Sequence, residues 1–231
     1  MAQSHVIRAV AFDLDNTLWD VDPVIVRAEA RWVEWLREHC PRITERSSLE
    51  ELRASRLALA AREPHNAHDF TYLRIASLAH HARECGYDES ISDEAFEIFI
   101  AERNQLDLFA DVRPGLHRLR ARYTLATLSN GNADLGRIGV ADLFSVSLNA
   151  RGIGAAKPDR RCFERLVQDL RLEPQEVIYV GDDPLLDVEA GRAAGLSTAW
   201  MNRTGQAWPA AVRPADMNVR DCIELVVQLG V

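Results

Sequence analysis

Apolar residues in this chain follow two rhythms. Short, nearly continuous apolar runs of strand length occur over 6–12, 124–128, 177–181 and 197–201, with a further strand near 144–148. Runs of this kind read as strands buried on both faces of a parallel sheet. Between them, apolar positions recur at helical spacing over 114–122, 159–170, 185–194 and 219–229, which supplies the crossovers a parallel sheet requires. One interval breaks the alternation. From the first run to the strand at 124 the chain is far longer than the dozen or so residues a crossover needs, and no strand pattern fills it.

That interval reads as helical throughout. Pro23 opens a helix with Val24, Ile25, Ala28, Trp32, Trp35 and Leu36 on one face, and Ser48-Leu49-Glu50-Glu51 is a capping box that starts a second. A third helix covers about 69–85 and stops at Gly86; a fourth, after Ser92, carries Ala95, Phe96, Ile98 and Phe99. The predicted architecture is α/β: a Rossmann-like parallel core over 1–20 and 109–231, with a helical cap domain inserted at 21–108.

The strand ends carry the candidate chemistry. Ligands of parallel sheets bind beyond the carboxyl ends of the strands. The first run stops on Asp13 and Asp15, and the run at 177–181 stops on Asp182 and Asp183, with Asp187 a helical turn later. A lone Asp-x-Asp could be a turn whose side chain caps the next amides, but two strands delivering acids to one edge require a compensating cation, most simply Mg²⁺. The strand at 124–128 runs into Ser129-Asn130-Gly131-Asn132, a hydroxyl and a glycine turn whose amides could cradle an oxyanion. Lys157 adds a cation ahead of a helix start. Acids, hydroxyl, turn amides and lysine together compose a phosphate site with a metal.

The ordered set Asp13-x-Asp15-x-Thr17, Ser129, Lys157 and Gly181-Asp182-Asp183 with Asp187 resembles the haloacid dehalogenase-like hydrolase superfamily in its helical-cap form. The resemblance implies that Asp13 attacks phosphorus to form an aspartyl-phosphate and that Asp15 protonates the leaving alkoxide and later activates water. It implies phosphate binding by Thr17, Ser129, Asn130 and Lys157, and Mg²⁺ held by Asp13, Asp182 and the carbonyl of Asp15. One of Asp183 and Asp187 would bind a metal-bound water or Lys157. True dehalogenases of the superfamily lack the second aspartate, because a halide leaves without a proton, so Asp15 favours a phosphatase over a 2-haloacid dehalogenase. Within the superfamily, the segments Asp13 to Asp20, Asp22-Pro23-Val24-Ile25, Ser129 to Ala133 and Val180 to Val188 are similar to the bacterial flavin mononucleotide phosphatases of riboflavin biosynthesis, which also act on 5-amino-6-(5-phospho-ribitylamino)uracil. A general nucleotide or sugar-phosphate phosphatase would share the same core motifs. A non-enzymatic metal-binding protein would lack one catalytic position, and none is lacking.

Composition narrows the partners. With 231 residues and 47% hydrophobic content, the chain can bury one core and a small accessory domain. A formal charge of −8 argues against nucleic acid. There is no apolar stretch of about 20 residues and no signal sequence in Met1–His5, so a cytoplasmic enzyme of a small phosphomonoester is expected, as a monomer or homodimer, with no membrane or nucleic-acid partner. Cys40, Cys85, Cys162 and Cys222 form no metal-type pair and read as reduced structural residues. His65, His68, His80 and His81 read as surface or packing groups, and Asp20, Asp22 and Arg27 as solvated helix surface. Trp19 stands at the entry to the insertion, where its ring could stack on an aromatic substrate and set specificity, or could simply pack the hinge.

Overall fold

A computed structural model describes residues 6–231; the expectation about Met1–His5 lies outside them. These residues form two compact units. The first holds the chain up to Asp20, Asp107–Gly131 and Gly139–Val231; the second holds Val21–Leu106 and Asn132–Ile138.

The first unit is built on six parallel strands: β1 (Ala9–Phe12), β2 (Thr124–Ser129), β3 (Val146–Asn149), β4 (Val177–Gly181), β5 (Ser197–Met201) and β6 (Met217–Val219). Their order is β3-β2-β1-β4-β5-β6. β1 and β4 are buried at every position, the burial expected of central parallel strands covered on both faces. Ala9, Ala11, Ala126, Leu128, Val177 and Tyr179 share one face and pack with Cys162, Phe163 and Leu166 from the helix Arg160–Leu170. Register sets the site. Phe12 pairs with Thr127 on one side and Val180 on the other, and Asp13 N–H continues the ladder to the Val180 carbonyl at 2.8 Å. Asp13, Ser129 and Asp182 are thereby brought to one edge.

Over Val21–Leu106 the second unit holds five helices, one more than the sequence pattern predicts: α1 (Asp22–His39), α2 (Pro41–Arg46), α3 (Leu49–Arg62), α4 (Phe70–Glu84) and α5 (Ile91–Arg103); a further short helix, Leu135–Ile138, lies in its second segment. The extra one, α2, is a short helix opened by Pro41, too short to show a period of its own. The Ser48–Glu51 capping box forms in both directions. Trp32, Trp35, Leu36, Leu78, Phe96 and Phe99 make the core of this unit. Residues 132–138 join it because Asn132 Nδ2 donates to Thr71 Oγ1 at 3.3 Å and Asp134 N–H donates to Asn104 Oδ1 at 2.8 Å.

Three further expectations shift. The final helix is Cys222–Gln228, capped by Asp221, because Val219 ends the edge strand β6, whose three residues give too short an alternation to read. The helix expected over 185–194 opens instead with a π-helical turn, Pro184–Glu189, before a short α-helix, Ala190–Ala193. The first strand begins at Ala9 rather than at Val6, which is exposed. No helix among the described residues is long and apolar enough to cross a membrane.

Candidate active site

Lys157 is the centre of the carboxylate edge. Its ammonium is buried and donates to Asp13 Oδ1 at 2.6 Å, to Asp187 Oδ1 at 2.6 Å and to the Tyr179 hydroxyl at 2.9 Å, which accounts for all three of its protons. Tyr179 donates onward to the Leu128 carbonyl at 2.6 Å. Burial alone would lower the lysine pKa, but the facing carboxylates of Asp13 and Asp187 hold it well above its usual value.

The π turn explains how Asp187 arrives there. Asp183 Oδ1 accepts from Leu185 N–H at 2.7 Å and Leu186 N–H at 2.8 Å, while its carbonyl accepts from both Asp187 and Val188. This widened turn swings the Asp187 carboxylate back toward β4, where Oδ2 accepts from Asp183 N–H at 3.0 Å. Gly181 leaves the necessary room: a Cβ there would sit 2.2 Å from Asp187 Oδ2. Asp187 is thus the acid that meets Lys157, and Asp183 caps the turn.

Ligand atoms of Asp13, Asp182 and Asp187 all lie within 4.8 Å of one another, the only such cluster among the described residues. No histidine joins it, and the four cysteines are free thiols. Three carboxylates face one ammonium, and hard oxygen donors with residual negative charge fit a divalent cation such as Mg²⁺. The electrostatics agree. Burial raises Asp13 to about 8, against the opposing pull of Lys157 and with Asp187 adding to the rise, and burial and Asp187 raise Asp182 to about 6.

Other expected site residues take different roles from those the motifs suggest. The Thr17 hydroxyl is fully buried between Asp13 Oδ2 at 3.4 Å and Asp182 Oδ1 at 3.3 Å, so it ties the two acids together rather than facing outward to a phosphate. Asn130 spends its side chain on the backbone of Lys157, donating to its carbonyl at 2.9 Å and accepting from its N–H at 2.7 Å, which leaves only its main chain for an anion. Ser129 Oγ accepts from Gly131 N–H at 3.0 Å, closing the turn. Trp19 is corrected most. Its ring has no exposed surface, so it offers no face for stacking, and its Nε1–H donates to Asp15 Oδ1 at 2.7 Å. The cause is local: Asn16 adopts the left-handed region at φ 60°, its N–H donates to the Trp19 carbonyl at 2.8 Å, and the chain doubles back on itself.

Sequence reasoning missed three supports. Tyr179 lies inside an apolar strand run, where a hydroxyl needing a partner is its only signal. Trp200 Nε1 donates to the Asp182 carbonyl at 2.8 Å. Arg203 Nε donates to the Thr17 carbonyl at 2.7 Å while its guanidinium pairs with Asp111 at 3.0 Å through both Nη atoms.

A parallel sheet that brings acids from two strands to a buried lysine at one edge defines the chain as a hydrolase with a Rossmann-like core. It belongs to the haloacid dehalogenase-like hydrolase family, whose model matches residues 7–195. It is similar to the 5-amino-6-(5-phospho-D-ribitylamino)uracil phosphatase YigB of Escherichia coli (strain K12), 28% identical over 216 residues that cover 90% of each chain. Among solved structures it is similar to a 2-haloacid dehalogenase from Pseudomonas syringae pv. Tomato DC3000, with a TM-score of 0.92, 35% identity, and 96% and 99% of the two chains covered. A phosphatase from Thermococcus onnurineus matches with a TM-score of 0.70 and 25% identity over 97% and 98% of the chains.

Two predictions follow from this geometry. With raised pKa values, Asp13 and Asp182 retain protons in the cation-free fold, a stabilisation present at low pH and lost as pH climbs through about 6 and about 8. A divalent cation held by these acids would have to displace those protons, so the expected outcome is an affinity for Mg²⁺ that rises across the same interval with proton release. Calorimetry in buffers of different ionisation enthalpy measures this, and a pH-independent affinity contradicts it. Second, Gly181→Ala forces Asp187 away from its position, costing about 1–3 kcal/mol of stability and at least about 10-fold in kcat. Thermal unfolding and turnover test it; unchanged values mean that Asp187 has other room.

Proposed function

We propose that this chain is a divalent-cation-dependent phosphomonoester hydrolase acting through a phosphoryl-aspartate on Asp13, and that its substrate is flavin mononucleotide or a related riboflavin-pathway phosphate. The observation that carries the reaction class is Asp15, a second carboxylate two residues beyond Asp13, bonded to Trp19 Nε1 at 2.7 Å. Expelling an alkoxide requires a proton, and expelling a halide does not.

The chemistry proceeds in two displacements. The Asp13 carboxylate attacks phosphorus, the bond from phosphorus to the ester oxygen breaks, and the Asp15 carboxyl gives its proton to the departing oxygen. Water then attacks the phosphoryl-aspartate while Asp15 takes its proton, releasing inorganic phosphate and restoring Asp13. Lys157 offsets charge beside the nucleophile, and the Ser129 turn offers amides to the phosphoryl oxygens. Asp13 and Asp182, with Asp187 beside them, would hold Mg²⁺, which would supply neutralisation of phosphoryl charge. Trp19 acts as a positioning residue for Asp15. The riboflavin-pathway assignment is supported by the similarity to the Escherichia coli phosphatase and by the segments around the acids.

The similarity to a 2-haloacid dehalogenase favours a second reading, halide displacement by the same Asp13. The two readings separate on one panel of phosphomonoesters and 2-haloacids. Phosphate release from flavin mononucleotide with Mg²⁺, abolished by EDTA, is expected; chloride release without phosphate release selects the second reading.

Asp13→Asn should lower turnover by more than about 10³-fold while leaving the fold intact, and Asp15→Asn by about 10²–10⁴-fold. Beryllofluoride, a trigonal phosphate mimic, should protect wild type from thermal unfolding and leave Asp13→Asn unprotected. Near-normal turnover in Asp13→Asn refutes the nucleophile.

A further inference from the structure

The helical unit contains a cavity of about 320 Å³ lined by Arg56, Arg74 and Asn132 among apolar side chains. That volume is at the lower end of the range of small-molecule sites. Its apolar rim is open to solvent: Leu57 and Phe70 are 74% and 49% exposed, both unusual for large apolar residues in a closed surface.

The polar wall is over-supplied with cations. Glu29, itself buried, faces three guanidiniums, with Arg56 at 2.8 Å, Arg74 at 3.5 Å and Arg53 bonded through Nε at 2.8 Å. Burial would raise the Glu29 pKa, yet the arginines bring it below its usual value. Arg74 is the residue left short. It is 9% exposed, its guanidinium lies 3.5 Å from the Phe99 ring centroid, and its Nη1 is buried with no hydrogen-bond partner among the described residues. Burial, reinforced by the neighbouring charge of Arg56, lowers its pKa to about 9. A network serving only to pin helices through Glu29 would satisfy its donors and close its cavity, since an unpaired buried donor is costly.

We propose that this cavity binds an organic anion with a flat apolar body, its carboxylate or equally delocalised charge paired with Arg74 and Arg56 and its ring lodged among Phe70, Phe99 and Leu57. A guanidinium stacked on an aromatic ring leaves its edge donors for such a group, and the apolar walls accept the body. The site stands independently of the phosphatase reading, because it lies wholly within the helical unit. Asn132, three residues beyond Ser129, is part of its wall.

The test is calorimetric titration of the full chain with 2-naphthoate and with its uncharged analogue 2-naphthylmethanol. Naphthoate should bind at least 10-fold more tightly than the alcohol, Arg74→Gln should erase that preference, and Ala60→Trp, which fills the cavity with every arginine in place, should weaken both ligands at least 10-fold. Circular dichroism reports whether Arg74→Gln folds; where it does not, Ala60→Trp decides. Equal binding of acid and alcohol, no binding of either, or an unaltered preference in folded Arg74→Gln overturns the proposal. Inhibition of p-nitrophenyl phosphate hydrolysis by naphthoate then separates two sources of the same chemistry. Competitive inhibition identifies the anion as the organic part of the substrate, and non-competitive or absent inhibition identifies it as a separate effector; both uphold the site. Since binding is read without turnover, its failure is distinct from failure of the hydrolase reading.

Discussion

A single buried ammonium holds the carboxylate edge together. Without Lys157, Asp13 and Asp187 would be two acids facing each other in a dry pocket with no cation between them. With it, each carboxylate has a 2.6 Å partner and the lysine has no proton left over. Removing either partner of so buried a pair leaves an uncompensated charge, which costs more than the pair itself gains. The surrounding features are arranged to keep that ammonium in place: Asn130 grips the Lys157 main chain from both sides, Tyr179 caps its third proton, and the π turn after β4 delivers Asp187.

The two acids at the end of β1 sit in different surroundings. Asp13 is buried, raised in pKa and paired with a cation. Asp15 is only half-buried and is held by a neutral indole N–H. The left-handed Asn16 makes the arrangement possible, since asparagine tolerates that conformation with little penalty and a branched residue would not.

The central strands and the placement of acids were legible in the chain because buried parallel strands and their terminal carboxylates leave a linear signature. Val177-Ile178-Tyr179-Val180-Gly181 and the acids after it read directly, as did the capping box at Ser48. What escaped was set by tertiary context. Edge strand β6 has one neighbour and three residues, too few for a period. The π turn depends on Gly181 yielding space to a side chain six positions on, a contact no local propensity encodes. Trp19 misled for a related reason: its position in sequence marked the entry to the insertion, while the backbone reversal at Asn16 turned the ring inward and made it a hydrogen-bond donor to Asp15. Thr17 and Asn130 show that a motif names residues more reliably than roles, since each spends its polar atoms on other protein groups.

The same economy separates the two units chemically. In the first, the polar atoms around Lys157 close upon one another. In the second, the charges do not close. Three arginines meet one glutamate, and Arg74 retains a buried donor beside an open apolar cavity. A satisfied network specifies a fold; an unsatisfied one beside a cavity specifies a ligand.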